Sequence, residues 1–348
     1  MEKRMRKTAI IVLAVITLPI IIPPAYSHPY WFKEGAYIKY AMKMPDNPEK
    51  NEVNIFMIWP RLLPKGAYEQ IKDVYEGNGS LFKIDNRSMI SLFVTGDSYL
   101  SFEVFNVTNK SALVRVTLEL NNVSVRPGAT LPCLVLSKVL RLNLTDMIYY
   151  EEDGTPIGPP TFFINPADPP KKGDYLLTPT FLKKYDLKGD DIVITNASFT
   201  WMEGKILHAH YGDFIPPYLF VESKGAYVID DLTRGGGHTI ITELVYEPDT
   251  GVLITTIFAD MTSELTSLGV IGAIALDRAN SRKLYELIDK GKDDKEWYGQ
   301  GFNLYDTNVK FPDYGTKHSP STPLKYFFAL ALLILIIAFV WNERRWRR

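Results

Sequence analysis

The histidines are the side chains of this 348-residue chain whose type and spacing best fit metal chemistry. His208 and His210 are separated by one residue in a segment that is predicted to be a β-strand, so both rings are expected on one face. His28 becomes the amino terminus if an export signal is removed before it, and it would then offer an amine and a ring nitrogen. Neutral imidazole is a common copper ligand. The three histidines are therefore candidate copper ligands.

An amino-terminal histidine combined with a His-x-His pair resembles the copper-binding arrangement of the soluble-domain subunit of particulate methane and ammonia monooxygenases. The resemblance covers His28, His208 and His210 alone, and the sequence around them does not show that subunit's cupredoxin pattern. It implies copper as the cofactor of a membrane-anchored accessory protein. Ordinary packing of His208 and His210 beside Tyr211 is the simpler interpretation, so we assign no metal site from the sequence.

The rest of the sequence shows no motif that predicts catalysis. It contains no phosphate-binding glycine loop, nucleophile elbow, zinc-protease helix or paired-cysteine metal site. The single cysteine, Cys133, lies in the apolar run 131–136 and is expected to be a small buried side chain. Adjacent acids in turn-like contexts are expected to be solvated, and they occur at 151–153, 190–191, 230–231 and 293–294. The sequence therefore favours a non-enzymatic protein, and we assign no catalytic residue.

The amino-terminal 27 residues have the pattern of a secretory signal peptide. A basic segment with Lys3, Arg4, Arg6 and Lys7 precedes the mostly apolar run 8–22, and Ala25 and Ser27 provide small residues before a cleavage site. The apolar run is shorter than the roughly 20 residues that a membrane span needs. We expect cleavage to leave His28 at the new amino terminus, with an uncleaved anchor as the alternative.

The carboxyl-terminal segment predicts a single transmembrane helix. Residues 326–341 are uninterrupted apolar and aromatic side chains, and the four arginines of the tail 342–348 follow them directly. Basic residues next to a membrane span remain in the cytoplasm. We therefore expect type I topology in the plasma membrane, with a polar stalk over 315–325 and the domain 28–314 outside the cell.

Seven Asn-x-Ser/Thr triplets agree with this exported topology, because only a segment that crosses the membrane can be N-glycosylated. Seven exceeds the number that chance would give in a chain of this composition. All of them lie in one half of the domain, so sugars are expected on one part of its surface. The candidate acceptors are Asn78, Asn86, Asn106, Asn109, Asn122, Asn143 and Asn196.

The net charge of −1 conceals an acidic domain between two basic ends. Each end carries four basic residues and one acidic residue, so the 39 basic and 40 acidic residues of the chain leave 31 and 38 for residues 28–341. That segment has a net charge of −7. Nucleic-acid-binding domains usually carry a basic excess, so a nucleic-acid partner is not expected.

Alternating apolar and polar residues predict a mainly β fold, either an antiparallel β-sandwich or a large curved sheet with a few covering helices. Residues 98–105 and 111–120 alternate on both sides of a loop that holds two of the triplets. The turn 247–251 predicts a hairpin over 239–259, and a second hairpin is expected over 191–211. Further strands are predicted at 36–42, 53–59, 89–95 and 226–229. Helices are predicted at 265–276, after a cap at 262–264, and at 281–290.

The proline-rich segment 153–174 is a candidate boundary between two sub-lobes of the domain, although Phe162, Phe163 and Ile164 predict a packed loop. The segments 31–40 and 246–253 resemble patterns in uncharacterised exported proteins of thermophilic archaea. This resemblance implies a surface location and no known activity. The near absence of glutamine, with only Gln70 and Gln300, also fits a thermophile.

Together these features predict a non-catalytic cell-surface glycoprotein with a role in adhesion, envelope scaffolding or ligand binding. Its expected partners are the membrane, other envelope proteins and glycans. The alternatives are the copper-binding accessory protein and a half-barrel that binds lipid or solute near the membrane.

Overall fold

The computed structural model describes residues 28–49, 52–77, 83–84, 88–199, 204–229 and 236–312. The predicted signal peptide 1–27, stalk 315–325, transmembrane helix 326–341 and tail 342–348 lie outside these residues. Within the described ranges no helix has the length and apolar character to cross a membrane. The described residues up to Lys310 belong to one compact unit.

The fold is mainly β, as the alternating pattern predicts, with a large antiparallel sheet and few helices. The strands are β1 (Tyr37–Met42), β2 (Asn54–Ile58), β3 (Ile90–Val94), β4 (Ser98–Phe105), β5 (Ser111–Arg126), β6 (Ala129–Asn143), β7 (Ile148–Tyr150), β8 (Pro156–Gly158), β9 (Lys188–Gly189), β10 (Ile194–Ser198), β11 (Ile206–His208), β12 (Asp213–Phe214), β13 (Leu219–Ile229), β14 (Gly236–Tyr246), β15 (Leu253–Ala259), β16 (Val270–Ile274), β17 (Glu296–Tyr298) and β18 (Asn303–Thr307). The helices are α1 (Lys65–Glu76), α2 (Pro179–Lys184), α3 (Ser263–Ser267) and α4 (Arg278–Asp289), and a 3-10 turn spans Pro60–Leu62.

The large sheet has the pairing order β10-β13-β14-β15-β18-β1-β4-β5-β3-β2-β16. Strand β6 extends it from β5, followed by β7 and β8, while β9 pairs with β13. Asp260, just after β15, accepts hydrogen bonds from the backbone N–H of Ile241 in β14 (3.3 Å) and of Ala273 in β16 (2.8 Å). Those strands are third and eleventh in the pairing order, so the sheet curves strongly enough to bring distant strands together.

The alternating segments form the predicted strands. In β5 the side chains of Ala112, Val114, Val116, Leu118 and Leu120 are buried, while their neighbours face outward. Strand β4 pairs with β5 from Ser98 opposite Leu120 to Phe105 opposite Leu113, so the predicted hairpin around loop 106–110 is confirmed. Strands β1, β2 and β3 and the end of β13 also fall in predicted segments.

The hairpin of β14 and β15 is confirmed, and its turn has a conformation that requires glycine. Gly251 has a φ of +72°, and the carbonyl of Ile164 would lie 2.2 Å from a Cβ at this position. Pro248 and Gly251 thus supply the turn, as their residue types predict. Because Ile164 belongs to the proline-rich segment, this glycine also lets that segment pack closely against the hairpin.

Two local predictions are wrong, and one helix was not predicted. Strand β10 pairs with β13, whereas β11 pairs with β12 and β17, so 191–211 is not a hairpin. Helix α3 ends at Ser267, because Gly269 turns the chain with a φ of +93° into β16. Helix α1 was not predicted from the sequence.

Aromatic side chains fill the core where the proline-rich segment meets the sheet. Phe162 lies 5.2 Å from Tyr40, 5.3 Å from Phe102 and 5.9 Å from Phe302, measured between ring centroids. Phe162 and Phe163 are fully buried, which confirms the predicted packed loop. These contacts fix the segment to strands β1 and β4 and to the residue just before β18, and they place it beside the cavity described next.

Candidate functional site

A cavity of about 630 Å³ opens between the proline-rich segment, the turn after β6 and the strands β10, β13 and β14. Its interior is apolar and buried, with Ile164, Leu176, Ile194, Val221 and Tyr246 among the lining side chains. Small-molecule sites typically have volumes of about 300–1,000 Å³, with an apolar lining and a few polar groups. The cavity therefore has the size and the lining of a ligand site.

Backbone hydrogen bonds hold the segment 159–178 over this cavity. Its first half is attached to the β14–β15 turn, where the N–H of Ile164 donates to Gly251 (2.8 Å). Its second half runs beside β10, where Leu176 donates to Ile192 (2.8 Å) and Ile194 donates to Asp174 (2.9 Å). The segment is thus an ordered wall of the cavity, although it has almost no regular secondary structure.

A fully buried carboxyl group, that of Glu264 in α3, lies directly behind the wall. It accepts hydrogen bonds from the backbone N–H of Thr161 (2.8 Å) and of Phe162 (3.4 Å), and also from the Thr161 hydroxyl. Burial raises the pKa of Glu264 to about 7, although these hydrogen bonds oppose the shift. Glu264 therefore anchors the wall and titrates near neutral pH.

Three buried tyrosines surround this carboxyl group. The hydroxyl of Tyr246 donates to the carbonyl of Thr161 (2.7 Å), and that of Tyr40 donates to the carbonyl of Phe162 (2.7 Å). The Tyr149 hydroxyl is buried and has no hydrogen-bond partner among the residues that the structure describes. Burial raises the pKa of all three phenols well above 10, and the proximity of Glu264 adds to the shift. They remain protonated and serve as hydrogen-bond donors or packing groups.

The rim of the cavity carries carboxylates. Asp146, Asp168 and Asp174 line it together with the exposed ring of Tyr175, and within the described ranges none of its lining residues is Lys, Arg or His. Asp146 accepts from three neutral donors: the amide of Asn143, the N–H of Ile148 and the hydroxyl of Tyr150. The cavity therefore joins an apolar interior to an acidic opening.

The candidate copper ligands have separate surroundings. His208 Nδ1 lies 2.7 Å from Asp213 Oδ1 and its ring packs 4.7 Å from Tyr298. His210 Nε2 lies 2.5 Å from Oδ2 of Asp277, a fully buried carboxylate that also caps α4.

The ring of His28 lies 6.0 Å from Phe32, beside the aromatic core. In the part of the chain that the structure describes, no group of three or more His, Cys, Asp or Glu side chains could hold a metal ion. The structure thus gives His208 and His210 carboxylate partners and does not gather the three histidines into one metal site.

The sequence predicts that the acids at 151–153 are solvated, and for Glu151 this prediction is wrong. Glu151 is buried and accepts hydrogen bonds from Lys138 (3.0 Å), Lys184 (2.6 Å) and Tyr185 (2.7 Å). Burial alone would raise the pKa of Glu151, but these bonds outweigh it and lower the pKa. Lys184 also pairs with Asp153 at 2.6 Å. This network joins β6 to α2 and has a structural role.

The described glycosylation triplets lie at the surface. The side chains of Asn106, Asn109, Asn122 and Asn196 are exposed, and that of Asn143 is half-buried. Asn106 and Asn122 adopt left-handed backbone conformations, with φ of 51° and 54°. Asn78 and Asn86 lie outside the described residues. Cys133 is half-buried rather than fully buried, because it lies on the outer face of β6, and burial raises the pKa of its thiol.

Sequence reasoning did not identify the cavity residues. The prolines at 156–170 and the buried Phe162 and Phe163 indicated a packed loop, but nothing local connects that loop to Asp146 or to Glu264. Glu264 lies in the predicted cap of a helix, where an exposed acid is the usual occupant. No protein-family model, curated protein or solved structure matches this chain.

Proposed function

We propose that this protein is an exported, membrane-anchored surface glycoprotein whose β-rich domain has a non-catalytic, ligand-binding role. The observation that carries the proposal is the position of the five described glycosylation triplets. Four of the acceptor side chains are exposed and the fifth is half-buried, so a glycan could be attached to them without unfolding a strand. The signal-like amino terminus and the apolar carboxyl-terminal segment support the same location.

A binding role is favoured over catalysis by the contacts of the perturbed acids. Glu264 is engaged by Thr161 and Phe162, and Glu151 is engaged by Lys138 and Lys184. Both groups stabilise connections between elements. The apolar cavity beside Glu264 supports the solute-binding variant of the role, since a ligand could bury its surface there without a chemical step.

Intact-glycopeptide mass spectrometry of the protein from its native membranes tests this proposal. We expect glycans on Asn106, Asn109, Asn122 or Asn196 and an amino terminus at His28. Replacing Asn122 by glutamine should remove one glycan mass. Asn47→Gln is the matched control, because Asn47 is exposed but lies outside any triplet, and it should leave the mass of the glycans unchanged. Unmodified asparagines throughout, in protein recovered from the cytosol, would contradict the proposal.

A further inference from the structure

The charges around the cavity indicate which class of ligand it accepts. Three carboxylates line the opening, at Asp146, Asp168 and Asp174, and none of the described residues that line it is basic. Lys171 pairs with Asp168 at 2.7 Å, and its backbone N–H donates to Asp174 (2.7 Å). The Lys171 ammonium group is thus paired with Asp168, and Asp146 and Asp174 leave an excess of negative charge among the lining residues that the structure describes.

Asp146 is the carboxylate best placed to meet an additional cation. All three of its hydrogen-bond donors are neutral, and its side chain forms no ion pair among the described residues. The guanidinium of Arg141 stacks 5.3 Å above the Tyr150 ring and does not line the cavity. A cation at the opening would therefore be attracted by an Asp146 carboxylate that no described side chain pairs with a positive charge.

The aromatic and apolar lining of the cavity sets a second requirement for its ligand. The ring of Tyr175 is 42% exposed at the opening, so a cation could stack on it. Deeper in the cavity, Ile194, Val221 and Leu176 are buried and offer only apolar contact. A ligand that fits both the acidic opening and the apolar interior has a cationic head and an apolar body.

We propose that the cavity binds an amphipathic organic cation, an ammonium compound with an apolar body, with its head at Asp146 and Asp174 and its body against Ile194 and Val221. This inference rests on the ligand-binding role proposed above and specifies its ligand class. The net charge of −7 over residues 28–341 supports it, because an acidic domain attracts cations over a longer range.

Isothermal titration calorimetry of the full chain in lipid nanodiscs tests the inference, with empty nanodiscs as the blank. The probes are hexyltrimethylammonium, 1-hexanol and hexanoate, which share an apolar body and differ in charge. We expect the ammonium probe to bind most tightly and hexanoate most weakly. The preference should decrease at high salt, because the carboxylates at the opening are exposed to solvent.

Two variants localise the site. Asp146→Asn combined with Asp174→Asn should weaken binding of the ammonium probe by about threefold to tenfold, the range for two exposed charge pairs. Asp289→Asn combined with Asp306→Asn is the control for charge, since neither residue lines the cavity. Ala167→Trp places a large side chain at the exposed opening, where it should block every probe without disturbing the core.

The outcomes separate the ligand class from the binding role. Equal affinity for hexanol and the ammonium probe, abolished by Ala167→Trp, would overturn the cationic class and retain the binding role. Binding that Ala167→Trp leaves intact would overturn the cavity as the site. Absence of binding by all probes would also overturn the inference, whereas the glycopeptide measurement decides independently whether the protein is an exported glycoprotein.

Discussion

At the scale of single residues, the buried carboxyl of Glu264 is the group that most directly connects chemistry to structure. It holds the backbone of Thr161 and Phe162, and therefore the wall of the cavity. Burying a carboxyl favours its neutral form, so the folded state retains the proton to higher pH than the unfolded chain does.

The stability of the protein should consequently depend on pH through Glu264. Its pKa rises from 4.5 to about 7 on folding, so the stabilisation by the bound proton is complete below pH 4.5 and is lost as the pH rises to about 7. The expected loss is roughly 3 kcal/mol, at about 1.4 kcal/mol per pKa unit. Glu264→Gln cannot ionise and should lose this part of the pH dependence. Urea unfolding at pH 5 and pH 8 measures it.

Asp260 does not obscure this comparison. Burial raises the pKa of Asp260 to about 6, although the hydrogen bonds from Ala273 and Ile241 oppose the shift. Asp260 therefore also lowers the free energy of unfolding as the pH rises, and it does so equally in the wild type and in Glu264→Gln. The difference between wild type and Glu264→Gln isolates Glu264. The exposed Glu34, changed to Gln, should keep the wild-type pH dependence. A Glu264→Gln variant with the wild-type pH dependence would show that Glu264 is not buried in this way.

At the scale of elements, the contact between the β14–β15 turn and the proline-rich segment positions the cavity wall. Gly251 makes that contact possible, because a Cβ would lie 2.2 Å from the Ile164 carbonyl oxygen and 3.1 Å from Pro166 Cδ. Real side chains do not approach a carbonyl this closely, so any other residue forces the wall away from the hairpin.

The variant Gly251→Ala should therefore lower the free energy of unfolding by more than its left-handed backbone conformation alone would. Gly35→Ala is the matched control, since Gly35 has a similar φ of +79° and no atom within 4 Å of its Cβ position. We expect Gly35→Ala to cost about 1–2 kcal/mol for the left-handed conformation, and Gly251→Ala to cost several kcal/mol more. Denaturant unfolding compares them, and equal costs would mean that the wall does not pack on the turn.

At the scale of the whole molecule, one aromatic core spans both sides of the proline-rich segment. Phe162 contacts β1, β4 and Phe302 just before β18, while Trp31 donates from its indole N–H to the carbonyl of Thr250 (2.7 Å). The described residues up to Lys310 accordingly form one compact unit. Shared packing of this kind couples the unfolding of distant elements.

Equilibrium unfolding of the domain should therefore occur in a single transition. We expect near-ultraviolet circular dichroism, which reports the aromatic core, to lose signal at the same urea concentration as far-ultraviolet circular dichroism, which reports the strands. Limited proteolysis within 153–174 should not release two fragments that remain folded. Two separate transitions would instead indicate that this segment divides the domain into sub-lobes.

The sequence alone determined the elements whose cause is local. The alternation in 98–105 and 111–120 predicts β4 and β5, because one face of each strand must be buried, and the Pro and Gly of 247–251 predict the hairpin turn. The same local reasoning failed at α1 and at 265–276. Helix α1 was not predicted at all, and Gly269 ends α3 after five residues.

Only the tertiary structure decided the sheet order, the cavity and the environment of Glu264. These depend on contacts between residues that are far apart in the sequence, such as Glu264 with Thr161, which no local pattern encodes. An acid near a helix start has the same sequence signature whether it is solvated or buried. Its pKa and its role are set by what packs around it, because burial and hydrogen bonds determine which protonation state is favoured.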